Sequence, residues 1–309
     1  MTTSATPPVA EAAPEQPKTA RRKEGKEGGA GGSAGWFTYI ALGFVVLLWI
    51  IPTVGIVLTS FRTRDDAASG GWWELFLKPA GFADLTFENY QKAIQGTNLG
   101  EGFINSLAIA LPATFIPILV AAFAAYAFTF MKFPGRDVLF VVVVGLLVVP
   151  NFVSFVPMLK LYRDLGMGGT FPAVWLFHVG FGMSLAIFMI RNYMATLPGT
   201  IIESAKIDGA SHFQTFFRLV LPMSVPVLAS FAIFQFLWVW NDLLVALVFL
   251  GPGDKAPMTV SISQLLGQQG QNQELVTASG MFSMIVPIIV FLSLQRFFVR
   301  GLTAGAVKG

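Results

Sequence analysis

Long uncharged apolar runs alternate with polar intervals along this chain, and the runs determine its predicted architecture. Each run approaches or exceeds the roughly 20 residues that an α-helix needs to cross a bilayer. Strands of a membrane barrel would be shorter and would alternate polar with apolar residues, so the runs predict helices. We therefore predict an all-α, polytopic membrane protein with six transmembrane helices. The predicted spans are Trp36–Phe61, Phe103–Met131, Val138–Leu159, Thr170–Ile190, Leu219–Leu250 and Leu275–Val299.

Prolines interrupt most of these spans. A proline removes one backbone hydrogen bond from a helix, so we expect kinks that the neighbouring helices accommodate. The prolines concerned are Pro112, Pro117, Pro150, Pro157, Pro222, Pro226 and Pro287.

The polar intervals divide the rest of the chain. Residues 1–35 are rich in Ala, Pro, Gly, Lys and Glu without apolar periodicity, which predicts a disordered tail rather than a signal peptide. Residues 62–102 and 251–274 are predicted loops on the outer side, residues 191–218 a loop on the cytoplasmic side, and residues 300–309 a cytoplasmic tail. With both termini inside, 13 of the 20 Lys and Arg residues lie on the cytoplasmic side, and this bias favours that orientation.

Composition supports the bilayer as the solvent and excludes several kinds of chemistry. Hydrophobic residues make up 54% of the chain, charged residues 12%, and the mean hydropathy is +0.67. The net charge of +3 fits basic residues at the ends of membrane helices, and there is no basic groove with interleaved aromatics to suggest nucleic acid. The chain has no cysteine, and its two histidines, His178 and His212, are far apart, so disulfides and a histidine metal cluster are not expected.

The interval between the fourth and fifth spans has the pattern of two short helices joined by a hinge. Thr200 and Glu203 have the spacing of a capping box, and Gly209 provides a left-handed helix stop. Ser211 and Gln214 repeat the capping-box spacing and open a second, amphipathic helix. Such an ordered loop fits a docking surface and fits equally an interfacial helix lying on lipid headgroups.

The spacing of this loop resembles a known motif. Glu203, Ala205, Gly209, Leu221 and Pro222 match the EAA loop of binding-protein-dependent ABC importer permeases. Ser204 replaces an alanine of that pattern, and Leu219 replaces an isoleucine. The Asp208-Gly209-Ala210 core and Pro226 are further similar to the smaller, maltose-type permease subunit of the carbohydrate branch. Weaker likenesses lie at 85–90, 105–106, 240–242 and 300–309.

This resemblance implies a coupling role for the loop. In the family, the EAA helix sits in a cleft of a cytoplasmic ATPase subunit and transmits closure of the ATPase dimer to the membrane helices. Glu203 would then pair with a basic group of the ATPase, Gly209 would give the close turn, and Ala205 would allow tight contact. The alternatives are that Glu203 only caps its helix and Gly209 only ends it. The implied coupling residues are Glu203, Ser204, Ala205, Asp208, Gly209, Ala210, Leu221 and Pro222.

Three further sets of residues are candidates. The C-terminal tail, with Arg300, Gly301 and Lys308, is implied to reach the ATPase. The outer loop is implied to enter the sugar-binding protein through Gly267, Gln268, Gln269, Gly270, Gln271 and Asn272, although an ordinary solvated loop would have the same composition. Polar residues within spans are candidates for the translocation path or for interhelical hydrogen bonds, namely Asn151, Gln235, Asn241 and Asp242. His178 fits packing better than a proton relay.

The predicted function is that of a non-catalytic permease subunit in the cytoplasmic membrane of a prokaryote. The sequence has no phosphate-binding loop and no paired nucleophile and base, so we expect no cofactor on this chain and place ATP and Mg on a partner ATPase. The implied partners are a homologous second permease subunit, two ATPase subunits, an extracytoplasmic sugar-binding protein, a sugar and membrane lipid. The likeness points to alpha-glucosides such as maltose or trehalose. A permease for another small polar solute and a secondary transporter remain as alternatives, the latter disfavoured by the few titratable groups deep in the spans.

Overall fold

The computed structural model describes residues 34–266 and 272–303, and the regular structure in this part of the chain is helical. The all-α prediction is confirmed. In chain order the helices are α1 (Ala34–Phe61), α2 (Arg64–Ser69), α3 (Glu74–Leu77), α4 (Glu88–Gln95), α5 (Leu99–Phe130), α6 (Arg136–Gly145), α7 (Phe155–Asp164), α8 (Phe171–Met194), α9 (Gly199–Ile207), α10 (His212–Thr215), α11 (Leu221–Met223), α12 (Val225–Trp240), α13 (Leu244–Phe249), α14 (Met258–Leu265) and α15 (Gln273–Thr303).

The chain divides into two units, Met1–Ile51 and Pro52–Gly309. The described part of the first unit is the beginning of α1, which is apolar on every side. Trp36, Phe37 and Trp49 are 61%, 66% and 74% exposed there. A helix that is apolar all round is a membrane span rather than a surface helix of a soluble protein. Residues 1–33 of the predicted tail lie outside the described residues, and Ala34 and Gly35 belong to α1.

Four helices of the described chain are long and apolar enough to cross a membrane without a break: α1, α5, α8 and α15. Two further spans are bent pairs, which brings the number to six if each pair crosses once. α5 runs unbroken through Pro112 and Pro117, and α15 runs through Pro287. α15 also continues past the predicted end of the sixth span, so Arg300 and Gly301 lie in its last turns.

The predicted third span is not a single helix. α6 is followed by two short 3₁₀ turns, Leu146–Val148 and Asn151–Ser154, and the two halves of the span meet at 93°. The break falls at Pro150, and the preceding Val149 is extended with ψ of 118°. A residue before proline is disfavoured in the helical region, which explains why the helix stops there. The kink that the sequence predicts at Pro150 is therefore a full break between two helices.

The predicted fifth span is also divided. The helical segment ending at Met223 meets α12 at 69°, with Ser224 at the junction. Pro222 and Pro226 both lack the N–H that would continue the backbone ladder across this junction. α12 ends at Trp240, and residues 241–243 separate it from α13, so the predicted span Leu219–Leu250 contains a second break that its prolines do not indicate.

The interior of the second unit is formed where α5 packs against α8 and α12. α5 presents small residues at this contact, and Ala110, Ala113 and Ala125 are fully buried. Small side chains let membrane helices approach closely. Gln235 of α12 lies between the three helices, and its Nε2 donates to the carbonyls of Ala113 at 3.1 Å and His178 at 3.3 Å. The core is therefore held by close packing together with hydrogen bonds between helices.

Hydrogen bonds join the N-terminal part of α5 to the segment between α13 and α14. Asn105 Nδ2 donates to the carbonyls of Asp254 at 2.8 Å and Ala256 at 3.1 Å. The backbone N–H of Met258 donates to Ser106 Oγ at 2.9 Å, and both residues are buried. This part of the predicted outer loop is thus ordered and packed against α5.

Candidate functional site: the coupling loop

The predicted loop 191–218, called the coupling loop below, starts in the last turn of α8, and its first separate helix is α9. Its N-cap is Pro198, without a side-chain cap hydrogen bond. Because α9 starts at Gly199, Thr200 is already inside the first turn and its hydroxyl does not cap the helix. The capping box predicted for Thr200 and Glu203 was therefore wrong. Glu203 lies one turn further along on the exposed face of α9.

Gly209 ends α9 in the way that the sequence predicts. Its φ is +77°, in the left-handed region that favours glycine. Ala210 N–H donates to the carbonyl of Ala205 at 2.9 Å, and Gly209 N–H donates to that of Lys206 at 3.1 Å. These two bonds form a Schellman motif, which satisfies carbonyls that the end of a helix leaves unpaired. A Cβ on Gly209 would meet no atom within 4 Å, so the backbone angle alone requires glycine here.

The second half of the coupling loop opens with the capping box predicted at Ser211 and Gln214. The N–H of Gln214 donates to Ser211 Oγ at 3.2 Å, and the N–H of Ser211 donates to Gln214 Oε1 at 2.9 Å. This prediction is confirmed. α10 then continues as a π-helical stretch, Phe216–Val220, and as α11, which contains Leu221 and Pro222. The loop therefore runs in helical form into the bend at Ser224.

The coupling loop has one buried and one exposed face. Ile202, Ala205 and Phe216 are 4%, 7% and 2% exposed and face the interior. In contrast, Ile207 is 85% exposed and Phe213 is 67% exposed. Glu203, Ser204, Asp208 and Gly209 are exposed as well, and Ala210 is half-buried. Ala205, predicted for tight contact with a partner, lies on the buried face.

Aromatic side chains connect the coupling loop to α5. Tyr126 OH and His212 Nδ1 are 3.0 Å apart, which is a hydrogen-bond distance. Phe123 stacks on Phe216 with ring centroids 4.6 Å apart, and Tyr126 meets Phe216 edge-on at 5.3 Å. Sequence reasoning missed Phe123 and Tyr126 as parts of this site. The one hint available was a hydroxyl-bearing side chain within an apolar run.

The polar residues predicted for the translocation path occupy different settings. Gln235 is buried and bonded to backbone carbonyls, as described above. Asn241 is exposed, and its Nδ2 donates to the carbonyl of Leu237 at 2.8 Å. Asp242 Oδ2 accepts the N–H of Val245 at 2.9 Å, so it caps the start of α13. Asn151 begins the 3₁₀ turn in the break of the third span.

Asp242 also approaches the buried histidine of α8. Its Oδ2 lies 3.9 Å from His178 Nε2, and His178 is 1% exposed. A small cavity beside them is lined by Ser106 and Trp240. The side chain of His178 thus packs from α8 against the end of α12, where it meets Trp238, in agreement with the packing role that the sequence favours.

The other end of the second unit has a polar cleft of about 550 Å³. It is lined by side chains that bear hydroxyls, amides and carboxylates, including Thr97, Asn98, Glu101, Asp254, Ser261 and Gln264. Of the residues predicted to reach a binding protein, 267–271 lie outside the described residues. Asn272 has a positive φ of 62°, and its Nδ2 donates to the carbonyl of Leu265 at 3.4 Å. Lys308 of the predicted tail is also outside the described residues.

Comparison with known proteins assigns the chain to a family. Residues 117–304, which include the coupling loop, match the sequence model of the binding-protein-dependent transport system inner membrane component. The chain belongs to that family. It is accordingly a permease subunit of an ABC importer, a multi-pass component of the inner membrane that has no catalytic role of its own. Such a transporter works with a periplasmic binding protein and ABC partner subunits.

Individual relatives support the assignment over nearly the whole chain. The osmoprotective compounds uptake permease protein GgtD of Synechocystis sp. is 50% identical, covering 87% of this chain and 91% of the relative. The alpha-glucoside transport system permease protein AglG of Rhizobium meliloti is 40% identical, covering 89% and 97%. The trehalose transport system permease protein SugB of Mycobacterium tuberculosis is 34% identical, covering 73% and 83%.

A solved structure agrees with the fold of this permease. The crystal structure of a bacterial alginate ABC transporter in complex with an alginate pentasaccharide-bound periplasmic protein contains a chain that superposes with a TM-score of 0.61. The match covers 86% of this chain and 95% of the other, at 15% sequence identity. At this identity the likeness concerns the fold alone.

Proposed function

We propose that the coupling loop is the surface on which an ATPase subunit docks, and that its movement drives the permease. The observation that carries this proposal is the 85% exposure of Ile207 at the end of α9. A large apolar side chain on an ordered helix outside the spans marks an interaction site when others lie close to it. Phe213 is the second exposed apolar residue of the same loop.

The chemistry of the exposed face fits a protein cleft. Glu203 presents a carboxylate for a basic group of the ATPase, and the left-handed Gly209 lets the chain reverse sharply between α9 and α10. Ser204, Asp208 and Ala210 complete the face around the hinge, while Leu221 and Pro222 carry the loop into the bend of the fifth span. The predicted tail, with Arg300, Gly301 and Lys308, is proposed as a second contact to the ATPase. ATP and Mg belong to that partner.

A substitution at Ile207 tests the docking proposal. Ile207→Glu places a charge in the proposed cleft, and desolvating it there lowers the amount of ATPase that co-purifies with the permease by about tenfold, or roughly 1.4 kcal/mol of binding. Ile94→Glu is the matched control, because Ile94 is 52% exposed on α4, far along the chain from the loop. Equal recovery of the ATPase with both variants would contradict docking at this face and favour the interfacial-helix alternative.

For the transported solute, we propose an uncharged polyhydroxy compound of the alpha-glucoside class, such as maltose or trehalose. The similarity to the alpha-glucoside and trehalose permeases supports this class, and the similarity to the osmoprotective compounds permease supports a small polar osmolyte as the second candidate. The polar cleft, with Asn98 and Gln264, offers amides that donate and accept hydrogen bonds as sugar hydroxyls require.

The remaining parts of the proposed transporter follow from the same scheme. A homologous second permease subunit completes the solute path. The residues of this chain proposed to line that path are Asn151, Gln235, Asn241 and Asp242. Residues 267–272 are proposed to meet the binding protein. The test is solute-stimulated ATP hydrolysis by the assembled complex with its binding protein. Stimulation by maltose or trehalose supports the alpha-glucoside class, whereas stimulation by a charged or zwitterionic osmolyte alone contradicts it.

A further inference from the structure

We propose that Tyr126 is a positioning residue that fastens the coupling loop to α5, so that movement of the loop at Gly209 reaches α5 through the pair Tyr126 and His212. The inference rests on the docking role proposed above and adds the route by which docking acts on the spans. Its basis is a hydrogen bond of 3.0 Å between the Tyr126 hydroxyl and His212 Nδ1.

The two residues lie at positions where a directional contact matters. His212 is the first residue of α10, directly after the capping residue Ser211 and three residues after the Gly209 hinge. Tyr126 is 5% exposed and lies one turn before the end of α5. A hydrogen bond weakens steeply when its angle changes, so this pair fixes the orientation of α10 relative to α5.

Apolar packing around the pair keeps the same elements together without fixing that orientation. Phe123 of α5 stacks on Phe216 and also meets Phe217 edge-on, with ring centroids 5.7 Å apart. Ile202 anchors α9 by burial alone. Hydrophobic contacts are non-directional, so they hold the loop on α5 while permitting rotation. Loss of the Tyr126 hydroxyl is therefore expected to leave the loop in place and to make its movement ineffective.

The pair connects the loop with the helix at the centre of the core. α5 packs along α8 and also contacts α12, and Gln235 bridges all three by hydrogen bonds. A displacement delivered to α5 at Tyr126 thus reaches the bundle directly, in addition to the covalent path through the bend at Ser224. Beside the covalent path and the non-directional aromatic packing, this side-chain pair is a directional connection between the coupling loop and α5.

The experiment uses the complete transporter in proteoliposomes and measures solute moved per ATP hydrolysed. Tyr126→Phe removes the hydroxyl and retains the ring, and His212→Ala removes its partner. Each is expected to lower the ratio roughly fivefold, a change within the usual range of coupling between sites, while the ATPase still co-purifies. His212→Asn, whose amide places a polar atom near Nδ1, is expected to restore more than half of the loss.

Two further variants make the result specific. Tyr162→Phe removes a hydroxyl from another buried tyrosine, 3% exposed on α7, and is expected to keep the wild-type ratio. The double variant Tyr126→Phe with His212→Ala is expected to lose less than the sum of the two single losses, because both substitutions remove the Tyr126–His212 hydrogen bond. A wild-type ratio in Tyr126→Phe, or additive losses in the double variant, would overturn the proposal. If Ile207→Glu fails to release the ATPase, the docking proposal falls; if it succeeds while Tyr126→Phe is unaffected, only the role of Tyr126 falls.

Discussion

The backbone N–H of Ala210 donates to the carbonyl of Ala205 across the left-handed Gly209, at 2.9 Å, and this bond closes the turn between the two helices of the coupling loop. The turn therefore has a defined geometry before any partner binds. Because the stability of this turn depends on the left-handed φ of Gly209, a substitution at that residue tests it.

Gly209→Ala is predicted to destabilise this turn by about 1–2 kcal/mol, the cost of a Cβ in the left-handed region. Hydrogen exchange of residues 205–211 measures the effect as faster exchange. Gly199→Ala is the control, since Gly199 lies within α9 without a positive φ and a Cβ there would meet no atom within 4 Å. Equal exchange rates in the two variants would argue against the Schellman turn.

Ser211→Ala is predicted to loosen the start of α10 by about 1 kcal/mol, because the N–H of Gln214 loses its capping oxygen. Thr200→Ala removes a hydroxyl that caps nothing in α9 and is predicted to have little effect. Exchange of the first amides of each helix measures both changes. A larger effect at Thr200 than at Ser211 would restore the capping box that the sequence predicts for α9.

Gly182→Ala is predicted to disturb the core where α8 meets α12. A Cβ on Gly182 would lie 2.5 Å from Gln235 Oε1, and the buried amide has to move away from the carbonyls of Ala113 and His178. Loss of buried hydrogen bonds predicts destabilisation of about 1–3 kcal/mol. Thermal unfolding in detergent measures it.

The control for this substitution lies on the same helix. Gly180→Ala places a Cβ where no atom lies within 4 Å, so its melting temperature is expected to match that of the wild type. A lower melting temperature for Gly180→Ala than for Gly182→Ala would mean that helix flexibility, rather than the contact with Gln235, determines the effect.

The sequence predicts those features that depend on local chemistry. The glycine stop at Gly209 and the box at Ser211 and Gln214 were both predicted, because each depends on residues within one turn of chain. Thr200 and Glu203 have the same spacing, yet the N-cap of α9 is Pro198, two residues before Thr200, so Thr200 lies inside the helix. Spacing alone does not distinguish a cap from an interior position.

Features that depend on distant residues were not predicted. Tyr126 and His212 are 86 residues apart in the chain, and no local pattern pairs them. The breaks at Pro150 and Ser224 fall among the prolines that indicate kinks, but bends of 93° and 69° depend on how neighbouring helices pack. The orientation of each bent pair therefore required the structure.

The most direct test of the account uses the absence of cysteine from this chain. Ile207→Cys introduces a single thiol on the exposed face of the coupling loop, and a photoactivatable cross-linker attached to it reports what lies against that face in the assembled complex. If the coupling loop docks on the ATPase, the probe at residue 207 forms a covalent product with the ATPase subunit, whereas the same probe at Ile94→Cys forms none. Cross-linking of residue 207 to lipid, with no ATPase adduct, would contradict the docking role of the loop.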